Sequence, residues 1–224
     1  SDLRMRRTID SRWCSAALAG LLLGLAAPAA AQSKVGTTIG QFVGIEPSAR
    51  IAAMGNAGVA VYDGVQSVYY NPGALGSLDK VAVQFTHSFW FAGIRYDYAA
   101  VAIPAGNLGN FFFSATSLNS GDIAVRTVTQ PLGTGERYDV QDLALGVGYG
   151  RQITDRFEAG VQLNYLTEQI WHSRMNVFTL SLGTMYRLSD QGFTLGASLL
   201  HFGTDGQFGG RDLAIQWDAD PDKY

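Results

Sequence analysis

Three histidines, His87, His172 and His201, are the side chains of this chain best suited to moving protons or holding a metal. Their spacing offers neither. No His/Asp cluster has metal-ligand spacing. His87 is followed by Ser88, the residue types of a Ser/His pair in a barrel lipase. Neighbours on a strand point to opposite faces, so these two do not meet. His201 lies near a strand end, where a polar tip suffices to explain it. Glycine is abundant, 27 in 224 residues, but no run has the Lys-Ser/Thr or helix context of a phosphate loop. The expectation is a non-enzyme with no catalytic residue, no metal and no cofactor.

The elements that would position any site are strands. From Lys80 onward the sequence falls into segments of roughly ten residues in which apolar and small or polar residues alternate, the pattern of a transmembrane β-barrel. Phe157 to Thr167 is the clearest. Phe157, Ala159, Val161, Leu163 and Tyr165 share one face; Glu158, Gly160, Gln162 and Asn164 share the other. Six more segments follow the period: Val81–Phe89, Ile94–Ile103, Asn110–Leu118, Leu143–Tyr149, Phe178–Leu182 and Phe193–Leu199. Ile94–Ile103 and Asn110–Leu118 are less regular. Aromatics near segment ends (Trp90, Tyr96, Tyr98, Tyr149, Trp171, Tyr186 and Phe202) fit interface girdles. Short turns, rich in Gly, Asn, Asp and Ser, follow the second, fourth and sixth segments. The long, polar stretch Asn119 to Tyr138 follows the third, so short and long connections fall at opposite ends. Asp212 to Trp217 reads equally as an eighth strand or as loop.

Ahead of the strands, Ala49 to Leu78 (ARIAAMGNAGVAVYDGVQSVYYNPGALGSL) has neither period. Pro47 can open a helical turn through about Met54, which Gly55 and Gly58 break. Asn71-Pro72-Gly73 signals a turn. The stretch reads as a compact plug inside a barrel, with Arg50 and Asp63 as its anchors to lumen residues such as Glu158, Gln162 or Asn164. The inward glycines Gly146, Gly148, Gly160, Gly183 and Gly196 would let that plug approach closely, or would line a passage for an apolar ligand. Lys34 to Gly44 reads equally as a strand or an extended lead.

The plug motif is Arg50, Met54, Gly55, Asp63, Asn71, Pro72 and Gly73. With Ala49, Ala53, Ala57, Val59, Ala60 and Tyr70 around it, this run resembles the N-terminal signature of the PorV/PorQ outer-membrane proteins. Those are relatives of the FadL long-chain fatty-acid transporters. The family reads Ala-Arg, then Ala-Met-Gly-Gly-Ala, then Asn-Pro-Ala-Gly-Leu. This chain departs with Asn56 for the second Gly and with Gly73-Ala74 for Ala-Gly. Gly133-Thr134-Gly135-Glu136, Thr154 to Phe157 with Gly160, and Asp212 to Pro221 extend the likeness over about residues 36 to 221.

The N-terminus has a secretory pattern. Arg6, Arg7 and Arg12 precede an apolar run from Ala16 to Ala27, and Ala29-Ala30-Ala31 supplies a cleavage site. The run falls short of the ~20 residues that span a bilayer. Cys14, the only cysteine, precedes the apolar run, so the mature chain has no thiol. The whole chain has 16 Lys+Arg and 19 Asp+Glu. Residues 1 to 31 hold four of the former and two of the latter, which leaves twelve against seventeen and a net of −5. No basic stripe suggests nucleic acid.

The expectation is therefore all-β: a transmembrane antiparallel outer-membrane β-barrel with an N-terminal plug (hatch), truncated at the C-terminus. Residues 1–31 are the leader, 32–78 the plug segment and 79–224 the barrel strands. Seven strands do not close a barrel, and the resemblance implies about fourteen, so the chain alone is not expected to insert as a stable monomer. By the same likeness, the function is protein export across the outer membrane of the type IX kind. Its partners would be outer-membrane lipid and secreted proteins or secretion components. The alternative is FadL-like uptake of a small hydrophobic ligand.

Overall fold

The computed structural model describes residues 38–189 and 192–213. The expected leader, and the end of the chain from residue 214, lie outside these residues. Seven strands form one antiparallel sheet in chain order: β1 (Ala82–Phe89), β2 (Arg95–Pro104), β3 (Asn110–Asn119), β6 (Val140–Thr154), β7 (Phe157–Ile170), β8 (Ser173–Arg187) and β9 (Thr194–Gly203). They coincide with the seven alternating segments of the sequence. The long third connection holds a small hairpin, β4 (Ile123–Ala124) with β5 (Arg137–Tyr138), which no periodicity announces in strands of two residues. Asp212 and Leu213 belong to a 3-10 turn, Arg211–Leu213, rather than to a strand. β1 and β9 are the sheet's two edges and do not pair with each other, so no closed barrel exists among the described residues.

Residues 39–78 lie against one face of this sheet, and all seven strands reach them. Four short helical pieces shape the segment. A 3-10 turn, Gln41–Gly44, occupies part of the stretch left open between strand and lead. Helix α1 (Ala49–Ala53) is capped by Ser48, whose Oγ accepts from Ile51 N–H at 3.4 Å. Gly55 ends it with φ +67°. Two further 3-10 turns follow, Gln66–Tyr69 and Pro72–Ser77, the second capped by Asn71.

The inner face of the sheet is mixed rather than uniformly polar. Val65, Val68, Ala74 and Leu75 of the segment pack with Tyr96, Tyr98, Ala100 and Ala102 of β2, Phe112 of β3 and Met185 of β8. The irregular alternation of β2 and β3 has its reason here, because their inner faces meet an apolar partner. Tyr96 and Tyr98 are buried in this core, not in an interface girdle. Trp90, Tyr149, Tyr186 and Phe202 are exposed.

Elsewhere the segment's backbone rests directly on the sheet. Gly150, Gly160 and Gly183 stand in register across β6, β7 and β8. A Cβ on Gly160 would overlap the carbonyl of Pro72; one on Gly183 would overlap Asn71 Oδ1; one on Gly150 would overlap the Leu75 side chain. Gly196 of β9 likewise makes room for Val59 O. Of the two readings of the inward glycines, close approach holds for Gly160, Gly183 and Gly196. Gly146 instead faces Ser114, Gln162 and Asn164. Gly160→Leu should therefore lower stability by about 1–3 kcal/mol or more through overpacking. Gly44→Ala, with nothing within 4 Å of the added carbon, should shift it by less than about 0.5 kcal/mol. Denaturant titration of both variants checks this.

Candidate functional site

The seat of the segment is built from orphan carbonyls. A chain running without strand partners leaves its C=O groups unpaired, and burial makes that costly. Inward side chains of the strands supply the donors. Gln84 Nε2 and Thr86 Oγ1 on β1 donate to Pro47 O at 3.1 and 2.8 Å. Tyr96 Oη on β2 donates to Ile45 O at 2.8 Å. Asn110 Nδ2 on β3 donates to Leu78 O at 2.8 Å and also to Leu75 O. In the opposite sense, Gly40 N–H donates to Glu168 Oε1 on β7 at 2.6 Å.

Asn71 is the hub. Its Nδ2 donates to Val59 O at 2.7 Å and to Thr184 O on β8 at 3.0 Å. Its Oδ1 accepts from Gly73 N–H at 2.9 Å. One side chain thus caps the following turn, ties two parts of the segment together and fastens both to β8. Pro72 is buried beside it, and Gly73 has no room for a Cβ, since Thr184 backbone atoms lie 2.9 Å from that position.

The rest of the motif lies elsewhere. The expected anchors Arg50 and Asp63 do not reach Glu158, Gln162 or Asn164. They pair with each other, Arg50 Nη1 to Asp63 Oδ2 at 3.0 Å, with the Arg50 side chain 60% exposed. Arg50 lies in α1 and Asp63 in the loop that follows it, so the pair forms within the segment itself. Met54 is exposed, and Gly55 has open space around its Cα. Asn56, the departure from the family's second Gly, has φ +64°, a left-handed conformation that Asn tolerates better than most side chains. It donates to Glu46 Oε1. So the motif divides into a buried part, Asn71-Pro72-Gly73, and an outer part in which Arg50, Met54 and Gly55 are exposed and Asp63 is half-buried.

The anchor to Glu158 is Tyr62, whose Oη donates to Glu158 Oε2 at 3.1 Å. Arg187 Nη2 lies 3.7 Å from Glu158 Oε1 and its guanidinium stands 5.7 Å from the Tyr62 ring centre. Burial, then the Glu158 charge, pushes the Tyr62 phenol up, so it stays a donor at neutral pH. Tyr69 and Tyr70 are pushed up too, chiefly by burial, Tyr70 to about 12. Tyr69 Oη accordingly donates to Ile45 O at 3.0 Å and to Val43 O.

Between the segment and the sheet a small cavity remains. It has about 20 Å³ of space, room for a water molecule. Tyr69, Tyr98, Ser114, Gln162, Asn164 and His201 are among its walls. His201 stands at a β-bulge, where two residues of β9 oppose Ser181, with φ +53° and a buried Nδ1 that has no partner. The bulge turns it inward, unlike the polar tip that its position near a strand end suggested. Nothing in the sequence marks that extra residue. His87 joins Asp97 across β1 and β2, Nδ1 to Oδ1 at 2.6 Å, rather than Ser88.

Comparison with known proteins finds no matching family model, no matching curated protein and no matching solved structure.

Asn71→Ala should cost about 1–3 kcal/mol, because it strands buried groups on both the segment and β8. Arg50→Ala should cost less than about 1 kcal/mol, since its ion pair is largely in solvent. Equal losses in a denaturant titration would contradict this division of the motif.

Proposed function

We propose that this chain is part of an outer-membrane β-barrel, that residues 39–78 are its plug, and that it serves protein export in the manner of the PorV proteins it resembles. The observation that carries the membrane reading is the inversion of the sheet. On the outer face Val83 is 73% exposed, Phe85 71%, Phe178 60% and Leu163 52%; inside, Glu158 is 2% and Asn164 4% exposed. A water-soluble sheet places its apolar residues the other way round, and so large an apolar surface needs a cover. Lipid is the cover that an apolar band of alternate residues fits. The open edges β1 and β9 would be completed by further strands of the same barrel.

The likeness of Arg50, Met54, Gly55, Asp63 and Asn71-Pro72 to the PorV signature supports the export role, with secreted proteins or secretion components as partners. Uptake of a hydrophobic ligand would need an apolar pocket against the plug. Two cavities against the segment have polar walls: one of about 20 Å³ beside Ser114, Gln162, Asn164 and His201, and one of about 360 Å³ beside Asp79, Asn107, Asn110 and Arg151, which supports export over uptake of an apolar ligand. No catalytic step is assigned.

Cell fractionation of the natural gene product tests this. It should enter the outer-membrane fraction, migrate differently with and without boiling, and co-purify with secreted proteins. A soluble periplasmic protein, unchanged by boiling, would sink the barrel and the export role together.

A further inference from the structure

The first turn of the segment is seated apart from the rest. Phe42 and Val43 pack on Ala144 of β6 and Leu166 of β7, in a cluster distinct from the larger core around Leu75. Gly40 opens the turn with φ +70°, a conformation that suits glycine, and a Cβ there would lie 3.1 Å from Leu166 Cδ2. Its N–H donates to Glu168 Oε1 at 2.6 Å, so a sheet carboxylate holds this turn. Tyr69 Oη ties the far end of the turn to the rest of the segment through Val43 O and Ile45 O. Val43 is also a wall of the small polar cavity.

Glu168 has a second carboxylate beside it. Asp142 of β6 lies directly opposite in the register, one step along the inner face from Ala144 and Leu166, which also oppose each other. Like charges directly opposite across a sheet repel. The other cross-strand neighbours are uncharged, Leu118 of β3 opposite Asp142 and Met175 of β8 opposite Glu168. Charged groups on the flanking residues are engaged elsewhere: Asp139 accepts from Gln141 Nε2, and Arg174 donates to Gln169 Oε1. The titratable side chains around the cavity are Tyr69 of the segment, Tyr98 of β2 and His201 of β9. Among the described residues, neither Asp142 nor Glu168 has an ion pair. On the outer side of this end, Thr167 and Gln169 of β7 stand beside Asn176 and Arg174 of β8, so the pair lies beyond the apolar band. Burial, then the Glu168 charge, pushes the Asp142 carboxyl up to about 7.

We propose that Asp142 and Glu168 form a pH-sensitive latch for the first turn of the segment, residues 40–45, closed while the pair holds one proton and loosened when that proton leaves to solvent. With the proton present, Glu168 accepts from Gly40 N–H and Asp142 adds no second charge. With both carboxylates ionised, two like charges lie beside the apolar cluster of Phe42 and Val43, and lifting the turn lets water screen them. The seated state therefore binds the proton more tightly than the lifted state. Seating is favoured below neutral pH and is lost as pH rises through about 7. The bonds of Asn71 involve no titrating group, so that part of the seat holds throughout. Lifting the turn withdraws Val43 and opens the polar cavity behind it. The latch rests on the seated segment and not on the export role.

Hydrogen exchange of the natural gene product, read by mass spectrometry as protection relative to the unfolded chain at the same pH, tests the latch. Protection over residues 40–45 should fall at least ~10-fold between about pH 5 and about pH 8, the equivalent of a one-unit difference in proton affinity between the seated and lifted states. Protection over residues 73–78 should stay level. Asp142→Asn should abolish the fall and keep the turn protected at the higher pH. Glu168→Gln, whose amide oxygen can still accept from Gly40, should do the same. His201→Gln should leave the fall in place. Level protection in the unsubstituted protein, a fall that survives Asp142→Asn, a fall lost in His201→Gln, or an equal fall over residues 73–78 would overturn the proposal. If Asp142→Asn does not fold, Glu168→Gln decides by the same criterion. A protein that fails the boiling test yet shows the fall keeps the latch and loses only the barrel.

Discussion

Everything in this fold depends on a segment without strand partners being buried against a sheet. Such a backbone is tolerable in the interior only if each polar group is met, and only if it approaches closely enough to be met. The two conditions are fulfilled by different strands. The aligned Gly150, Gly160 and Gly183 remove side chains where the segment must touch. Gln84, Thr86, Tyr96 and Asn110 supply donors where it stands further off. Asn71 belongs to both, since its amide lies over Gly183 and bonds the backbone of β8.

This division makes the inner and outer faces of each strand answer to different surroundings. Outside, β7 presents Val161 and Leu163 to whatever covers the sheet; inside, the same strand carries Glu158, Gly160 and Asn164. The apolar core between the segment and β2 is small, and much of the remaining interior is hydrogen-bonded. A sheet of this kind gains little from its inner face unless the segment is seated, so the two are expected to lose order together.

The strands were legible because alternation of two residues is a direct imprint of two different environments. The same rule located the inward glycines, while the backbone preferences of Asn, Pro and Gly located the turn at Asn71-Pro72-Gly73. It failed where the imprint was local or absent. β4 and β5 are too short to show a period, and Tyr96 and Tyr98 looked like girdle residues because aromatics near strand ends serve either face. The pairing of Arg50 in α1 with Asp63 follows from the path of the loop between them, which composition does not encode, and the same holds for Tyr62 finding Glu158. His201 was misplaced because a one-residue bulge shifts which face a side chain takes. The sequence groups the motif residues by resemblance alone; the structure separates the seat at Asn71 from the Arg50–Asp63 pair.

The most direct measurement is the environment of alternate residues along β7. Spin labels can be placed singly at cysteines substituted from Val161 to Thr167 in the natural gene product, with Cys14, the one cysteine of this sequence, and any other native cysteine replaced by Ser. In reconstituted bilayers, Val161, Leu163 and Tyr165 should be accessible to oxygen dissolved in lipid, and Gln162, Asn164 and Leu166 protected from it, with a period of two. Outer positions equally accessible to a water-soluble relaxation agent, or no alternation at all, would contradict a sheet that faces lipid with one side and its own N-terminal segment with the other.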